Sequence, residues 1–219
     1  MPPAGNRRGK YLGFVAHEIK NPLATALWSC DLLKRMDTAD RSGPRAEKMV
    51  DASLRALRRM RRLVDDFFTI ERLNERGYEL HTDKVELRSL VDGAIAALAE
   101  KDGVATQDWT VDVPGQVLVS GDGEMLRRGV RAVLEHMTKG ARGAARVTVV
   151  GHALPSGGEL IVRSTEPPHP LVPPVAEDRP SGDPAGTVLG YALAETIFGV
   201  HGGTLHEREG ALVISLPKG

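Results

Sequence analysis

Three side chains that can take part in chemistry lie close together near the start of the chain: His17, Glu18 and Asn21, followed by Pro22. In a helix, His17 and Asn21 share one face, whereas Glu18 points about 100° around the axis. A neutral imidazole is a nucleophile that can accept a phosphoryl group, and a neighbouring carboxylate can take the ring proton. The amide can hold a water for hydrolysis of the phosphohistidine. Pro22 removes a backbone donor, so we expect a kink that exposes the site.

Two long helices should position these residues. The first is predicted from about Gly9 to Met36, and its apolar residues recur at steps of three and four that leave out His17. After a polar turn, the second helix is predicted from about Pro44 to Asn74. Its apolar stripe is too wide for one partner helix, and two such hairpins packed as a dimeric four-helix bundle would bury it. The sequence therefore predicts a homodimer.

Composition indicates no nucleic-acid or membrane partner. The 219 residues carry 29 basic and 29 acidic side chains, and a net charge of zero gives no general preference for nucleic acid or anionic membrane. The arginine-rich run from Arg55 to Arg62 could contact an acidic partner or nucleic acid, but the nearby aspartates favour a solvated helix face. No apolar run approaches the roughly 20 residues that cross a bilayer. The single cysteine, Cys30, fits a reducing compartment, so we expect a cytoplasmic chain without membrane insertion.

The chain changes character at Gly77. We predict a tail over residues 1–9, a helical hairpin over 10–77, and an α+β sandwich over 78–219 in which helices cover one mixed sheet. Later helices are predicted from about Leu87 to Lys101, Gly123 to Lys139 and Val188 to Phe198. Strands are predicted at 78–80, 109–113, 117–120, 146–153, 159–164, 204–207 and 211–216. A proline-rich stretch from Glu166 to Pro184 is predicted to be a long loop.

The string from His17 to Pro22, His-Glu-Ile-Lys-Asn-Pro, resembles the phosphoacceptor box of two-component sensor histidine kinases. The later elements resemble the ATP-binding domain of the same family, whose fold is shared with gyrase B and the Hsp90 chaperone. Three segments carry this second resemblance: Asp122 to Leu126, His201 to Gly203, and Val213 to Pro217. Together the resemblances cover about residues 10–219, and they imply that the proline-rich stretch is a lid over a nucleotide.

The helix after Asp122 departs from the family at its metal-binding positions. Family members hold Mg²⁺ there with asparagines, and a lysine meets the phosphates. The resemblance places Ala132 and His136 at the asparagine positions and retains Lys139. Ala132 has no ligand atom, and imidazole is a poor ligand for Mg²⁺, which prefers oxygen. Glu135 is chemically the better ligand, so Glu135 and His136 are the candidate metal ligands.

Two more nucleotide-binding segments also differ. Where the family keeps an aspartate that accepts a hydrogen bond from adenine, this chain has Ser164, whose uncharged hydroxyl makes a weaker bond. The family's glycine-rich phosphate turn corresponds to the segment from Gly186 to Gly190, with Val188 replacing the middle glycine. Gly186, Thr187, Gly190 and the free amides before the next helix should still bind an anion.

The resemblance implies an atypical histidine kinase that phosphorylates His17 from Mg²⁺-ATP, with Glu18 as base. The phosphoryl group would pass to an aspartate of a response regulator receiver domain, and Asn21 would serve a phosphatase reaction. The alternative is an ATP-independent phosphotransferase or phosphatase with a decayed ATP-binding domain. A non-enzymatic scaffold for receiver domains is a third hypothesis, and the intact phosphoacceptor box argues against it. No sensor element is visible, so the signal arrives by protein contact or the chain is a fragment of a larger receptor.

Overall fold

The computed structural model describes residues 5–38, 40–75, 78–102, 109–138, 146–165 and 185–219. They form a helical hairpin followed by strands and helices, which confirms the predicted α+β fold class. The chain divides into two compact units, and the division between them falls inside the second helix, between Phe68 and Thr69. The predicted change at Gly77 lies outside the described residues.

The hairpin consists of α1, Gly5–Arg35, and α2, Pro44–Leu73, with a short 3₁₀ turn at Asp40–Ser42 between them. Small and branched apolar side chains fill the seam between the helices: Val15, Ala26, Ala46, Ala56 and Leu63. The Oγ of Ser53 donates to the carbonyl oxygen of Met49 at 3.0 Å and lies 3.7 Å from Cys30 Sγ. Side chains this small let the two helices approach closely.

The second unit contains the remaining helices and strands of the described chain. The helices are α3 at Leu87–Asp102, α4 at Gly123–Thr138 and α5 at Ala185–Val200. The first strands are β1 at Asp83–Glu86, β2 at Trp109–Asp112 and β3 at Leu118–Gly121. The later strands are β4 at Val147–Leu154, β5 at Gly157–Ser164, β6 at Thr204–Arg208 and β7 at Ala211–Pro217.

The strands form two sheets, so the prediction of one mixed sheet was wrong. β1 pairs antiparallel with β3, and the other five strands follow the order β2-β4-β5-β7-β6, with β2 parallel to β4. The strand predicted at 78–80 is also wrong, because residues 78–80 have no regular structure. The strand lies at Asp83–Glu86 instead, where the backbone can pair with Leu118–Gly121. Strand pairing depends on such a distant partner, which local sequence does not reveal.

The core of the second unit places α4 directly against α5. A Cβ atom on Gly129 of α4 would lie 2.9 Å from a ring carbon of Phe198, so a larger residue would push the helices apart. Both helices and the sheet contribute fully buried side chains to the core of the unit: Leu126, Leu134, Leu193, Ile197, Phe198, Leu160, Leu212 and Ile214. Burying each of them contributes about 1.5–3 kcal/mol. The two helices that carry the candidate nucleotide contacts are therefore held as a packed pair.

Candidate phosphoacceptor and nucleotide sites

His17 and Asn21 lie on the solvent-facing side of α1. Both residues are exposed, whereas Val15 and Pro22 on the same helix are buried. α1 continues through Pro22 to Arg35 as one helix. The spacing of four residues therefore places the imidazole and the amide on one open face, where a macromolecular partner can reach the ring.

Glu18 points the other way, into the hairpin. It is 7% exposed, and its Oε2 lies 4.0 Å from Nη2 of Arg59 on α2. A buried carboxylate is costly unless a cation or hydrogen bonds compensate it. The Arg59 side chain is 45% exposed and the pair is long, so the ion pair adds little stability. Its main effect is to orient the carboxylate towards α2.

The exposed imidazole of His17 and the inward carboxylate of Glu18 limit how a proton could pass between the two side chains. Successive side chains on a helix diverge by about 100°, so His17 and Glu18 do not share a face. To take a proton from the ring, the Glu18 carboxylate has to turn from Arg59 towards His17. Proton transfer and the ion pair with Arg59 therefore compete for the same carboxylate.

The α4 residues predicted at the metal site differ in exposure. Ala132 is buried, and His136 is 3% exposed with its ring centroid 6.3 Å from that of Tyr191 on α5. Glu135 is half-buried. Within the described ranges, no group of three or more His, Cys, Asp or Glu side chains could hold a metal ion. Ala132 has no ligand atom and the imidazole of His136 is buried, so the Glu135 carboxylate is the side chain here that suits Mg²⁺, which usually binds one or two carboxylates together with waters and phosphates. Lys139 lies outside the described part of the chain.

Tyr191 is a residue of this region that sequence reasoning missed. Burial raises the pKa of its phenol above the ordinary value of 10.0, and the nearby carboxylates of Glu195 and Glu207 raise it further. The phenol therefore stays protonated at neutral pH beside His136. No local pattern in the sequence indicates this pair, because its members come from different helices that meet only in the folded unit.

Ser164 ends β5, opposite Val147. Its Oγ is buried and has no hydrogen-bond partner among the described residues. A buried hydroxyl without a partner is costly, and a polar ligand atom could satisfy it. This position therefore fits the predicted hydrogen bond to a nucleotide base.

The glycine-rich segment was predicted as a turn that precedes a helix starting at Val188. Instead, α5 begins at Ala185, so Gly186, Thr187 and Gly190 all lie inside its first turns. The first amides of a helix lack intrahelical acceptors, so this end keeps the capacity to bind an anion. Gly190 is buried, and a Cβ on it would lie 3.8 Å from Cβ of Ala132.

Comparison with known proteins begins with the hairpin. Residues 7–76 match the His Kinase A (phospho-acceptor) domain, so the match includes His17, Glu18 and Asn21. The chain is also 28% identical over 134 residues to the sensor histidine kinase MtrB of Mycobacterium tuberculosis. Over these residues the chain is similar to two-component sensor histidine kinases. This match to MtrB covers 59% of the present chain but only 23% of the length of that histidine kinase.

Solved histidine kinase structures share the fold of both parts. AdeS of Acinetobacter baumannii has a TM-score of 0.66 at 14% identity, covering 92% of this chain and 98% of AdeS. The histidine kinase ThkA, solved in complex with the response regulator protein TrrA, has a TM-score of 0.65 at 16% identity, covering 96% of this chain and 62% of ThkA. At such identities the likeness establishes the fold alone. No helix within the described residues is both long and apolar enough to span a membrane.

Proposed function

We propose that this chain is the cytoplasmic catalytic core of an atypical histidine kinase, in which His17 takes a phosphoryl group from ATP and passes it to an aspartate of a response regulator. The observation that carries the proposal is the exposed His17 beside Glu18, within the matched phosphoacceptor domain. The histidine kinase fold of the second unit and the unsatisfied Ser164 hydroxyl support a nucleotide as the donor.

The residues of the hairpin have separate roles in the proposed reaction. ATP, when bound, supplies the phosphoryl group. A nitrogen of His17 bonds to the phosphorus as the bond to the ADP oxygen breaks, and Glu18 takes the ring proton after turning from Arg59. Asn21, on the same face as His17, holds a water for hydrolysis of the phosphohistidine. Glu135 is the proposed Mg²⁺ ligand on α4, because Ala132 offers no ligand atom and His136 is buried.

The partners follow from the two surfaces of the hairpin. An exposed imidazole is reachable by the aspartate of a receiver domain, which would dock on the His17 face of α1. Large apolar side chains of the hairpin are also exposed in the single chain: Leu23, Leu27, Trp28, Val50, Leu54, Leu57 and Phe68. Such side chains support a second copy of the chain as the partner that covers them, giving a four-helix bundle. Neither nucleic acid nor membrane insertion is part of the proposal.

A second candidate is favoured by one observation, that Ala132 and a buried His136 stand on α4 where the family keeps asparagines that hold Mg²⁺. An enzyme that exchanges phosphoryl groups between His17 and receiver aspartates does not need a metal bound to its own second unit. The chain would then be an ATP-independent phosphotransferase or phosphatase. Ala132 and the buried His136 would be tolerated there, because no nucleotide phosphates would have to be neutralised.

The deciding experiment incubates the purified chain with γ-labelled ATP, in Mg²⁺ and in EDTA, beside the His17→Ala variant. His81→Ala is the matched control, because His81 is exposed and lies in the second unit. We expect acid-labile label on the wild type and on His81→Ala, and none on His17→Ala.

A parallel reaction contains labelled, phosphorylated receiver domains and no ATP. No label from ATP, together with no nucleotide binding at millimolar ATP, would contradict the kinase proposal. If His17 then became labelled from a receiver, the second candidate would be supported. A chain that is labelled by neither donor and does not speed the loss of label from the receivers would contradict both candidates.

A further inference from the structure

His201, directly after α5, is buried and makes polar contacts through both ring nitrogens. Its Nδ1 lies 2.6 Å from the carbonyl oxygen of Ile197, in the last turn of α5. Its Nε2 lies 3.1 Å from the backbone nitrogen of Asp122, at the start of α4. The ring is 7% exposed, so little water competes for these contacts. One imidazole therefore joins the end of one helix to the beginning of another.

The two partners fix where the ring carries its hydrogen. A carbonyl oxygen can only accept, so Nδ1 must be the protonated nitrogen that donates to Ile197. The backbone N–H of Asp122 can only donate, so Nε2 must offer a lone pair. Both contacts are satisfied together only by the neutral ring in the Nδ1–H form. A ring with hydrogen on Nε2 would set two donors against each other.

The contact on the Asp122 side reaches the cap of α4. Oδ1 of Asp122 accepts hydrogen bonds from the amides of Glu124 and Met125, at 3.0 Å each, which makes Asp122 the N-cap residue. Gly121 precedes it, and a Cβ there would lie 2.6 Å from Cδ2 of His201. The ring can therefore approach the cap only because residue 121 has no side chain.

The helices that His201 joins are the ones that carry the candidate nucleotide contacts. α4 carries Glu135 and His136, and α5 carries Gly186, Thr187 and Gly190. The helices also touch through the rings of His136 and Tyr191, and the His201 contact provides a second, polar connection. A rotation of α4 about its axis would move its cap and break the bond to Nε2.

We infer that His201 is a positioning residue which, as a neutral Nδ1–H imidazole, sets α4 against α5 and so holds the candidate nucleotide contacts in register. Its importance for activity rests on the proposed function, whereas the tautomer and the placement of α4 do not. The structural part of the inference and its consequence for activity can therefore fail independently.

The first test is ¹⁵N NMR of the imidazole nitrogens in the full chain at neutral pH. We expect His201 to show a protonated Nδ1 and an unprotonated Nε2. The exposed His206 is the internal reference and should show the Nε2–H form that dominates in water. A His201 ring with hydrogen on Nε2 would overturn the inference.

Two variants then separate the halves of the contact. In His201→Gln, the side chain can still accept a hydrogen bond from the Asp122 amide but has no donor at the position of Nδ1 for the Ile197 carbonyl oxygen. In His201→Asn, the side chain can donate to the Ile197 carbonyl oxygen but is too short to reach the Asp122 amide. We expect the Asp122 amide to exchange with solvent about fivefold to tenfold faster in His201→Asn, and to stay near the wild-type rate in His201→Gln. Equal exchange rates in the two variants would mean that His201 only fills space.

A functional readout uses two phosphoryl donors. With ATP as donor, we expect His201→Asn to label His17 about fivefold more slowly than His201→Gln. With phosphoramidate, a small chemical donor that needs no nucleotide site, both variants should match the wild type. Equal labelling of the variants from ATP would contradict the role in positioning. A wild type that ATP does not label would contradict the proposed function, and the NMR and exchange results would still decide the inference.

Discussion

Glu18 is nearly buried between α1 and α2 and directly follows the exposed His17. Glu18→Gln keeps the shape of the side chain but cannot take a proton. We expect labelling of His17 to slow by about 10²–10⁴-fold, the usual contribution of a general base. The ion pair with the half-exposed Arg59 should contribute less than about 1 kcal/mol to the free energy of unfolding.

The rate is measured from the initial incorporation of label, and the stability from urea denaturation. Glu47→Gln is the matched control, since Glu47 is an exposed acid on α2. If Glu18→Gln kept the wild-type rate but lost stability, Glu18 would be a structural acid and not a base.

Tyr191 should make stability depend on pH in the alkaline range. The pKa of its phenol is raised in the folded chain by burial and by Glu195 and Glu207, so the unfolded chain ionises first, near pH 10.0. The stabilisation that comes from the raised pKa of the Tyr191 phenol is therefore fully present below pH 10.0. It is lost as the pH rises through the higher pKa that this phenol has in the folded chain. We expect Tyr191→Phe to weaken the decline in stability that wild type shows above that pH. Urea denaturation across this range is the measurement, and identical declines in the two proteins would contradict the assignment.

At the level of single residues, sequence reasoning succeeded where the contact was local. The common face of His17 and Asn21 follows from helical spacing alone. The sequence did not reveal that Glu18 turns inward to Arg59, because that contact depends on the packing of α2. The pairing of His136 with Tyr191 was missed for the same reason. The roles proposed for these side chains stay predictions until the variants are measured.

The helices were predictable because each repeats its apolar pattern over many turns. α1 and α2 end within one residue of their predicted ends, and α3 and α4 begin where they were predicted to begin. α5 begins three residues before the predicted Val188, because the glycines of its first turns suggested a loop. The division into two sheets was not predictable, since it depends on which distant strands pair and local alternation is the same in either arrangement.

The β4–β5 turn depends on one glycine. Gly157 has a φ of 149°, and a Cβ there would overlap the carbonyl oxygen of Leu216 on the neighbouring strand. We expect Gly157→Ala to lower the free energy of unfolding by about 1–3 kcal/mol through backbone strain, with the overlap adding to it. Gly199→Ala is the matched control, because an added Cβ at this exposed helical position meets nothing within 4 Å. It should raise stability by about 0.5–1 kcal/mol. Both values come from urea denaturation, and equal effects would show that strain at Gly157 is unimportant.

For the whole molecule, the exposed apolar side chains of the hairpin predict self-association. We expect the chain to sediment as a dimer at micromolar concentration. Leu54→Glu and Leu57→Glu should each shift it towards the monomer, because a charge would be buried at the helix interface. Leu118→Glu, at an exposed leucine of the second unit, should leave the dimer intact. A wild-type chain that stays monomeric at these concentrations would remove the four-helix bundle from the proposal.

The strand order of the second unit has consequences for how the chain refolds. β4–β5 and β6–β7 are hairpins between neighbours in the chain, whereas β5 joins β7 through pairs such as Val162 with Leu212, 50 positions apart. Hairpins form in about 1–10 μs, and closing a long loop is slower because the chain loses entropy before the contacts form. We therefore expect the joining of two early hairpins to limit the refolding rate. Doubling the length of a loop adds only about 0.6 kcal/mol to the entropic cost of closing it. The stretch between β5 and α5 can therefore vary in length during evolution while the sheet persists.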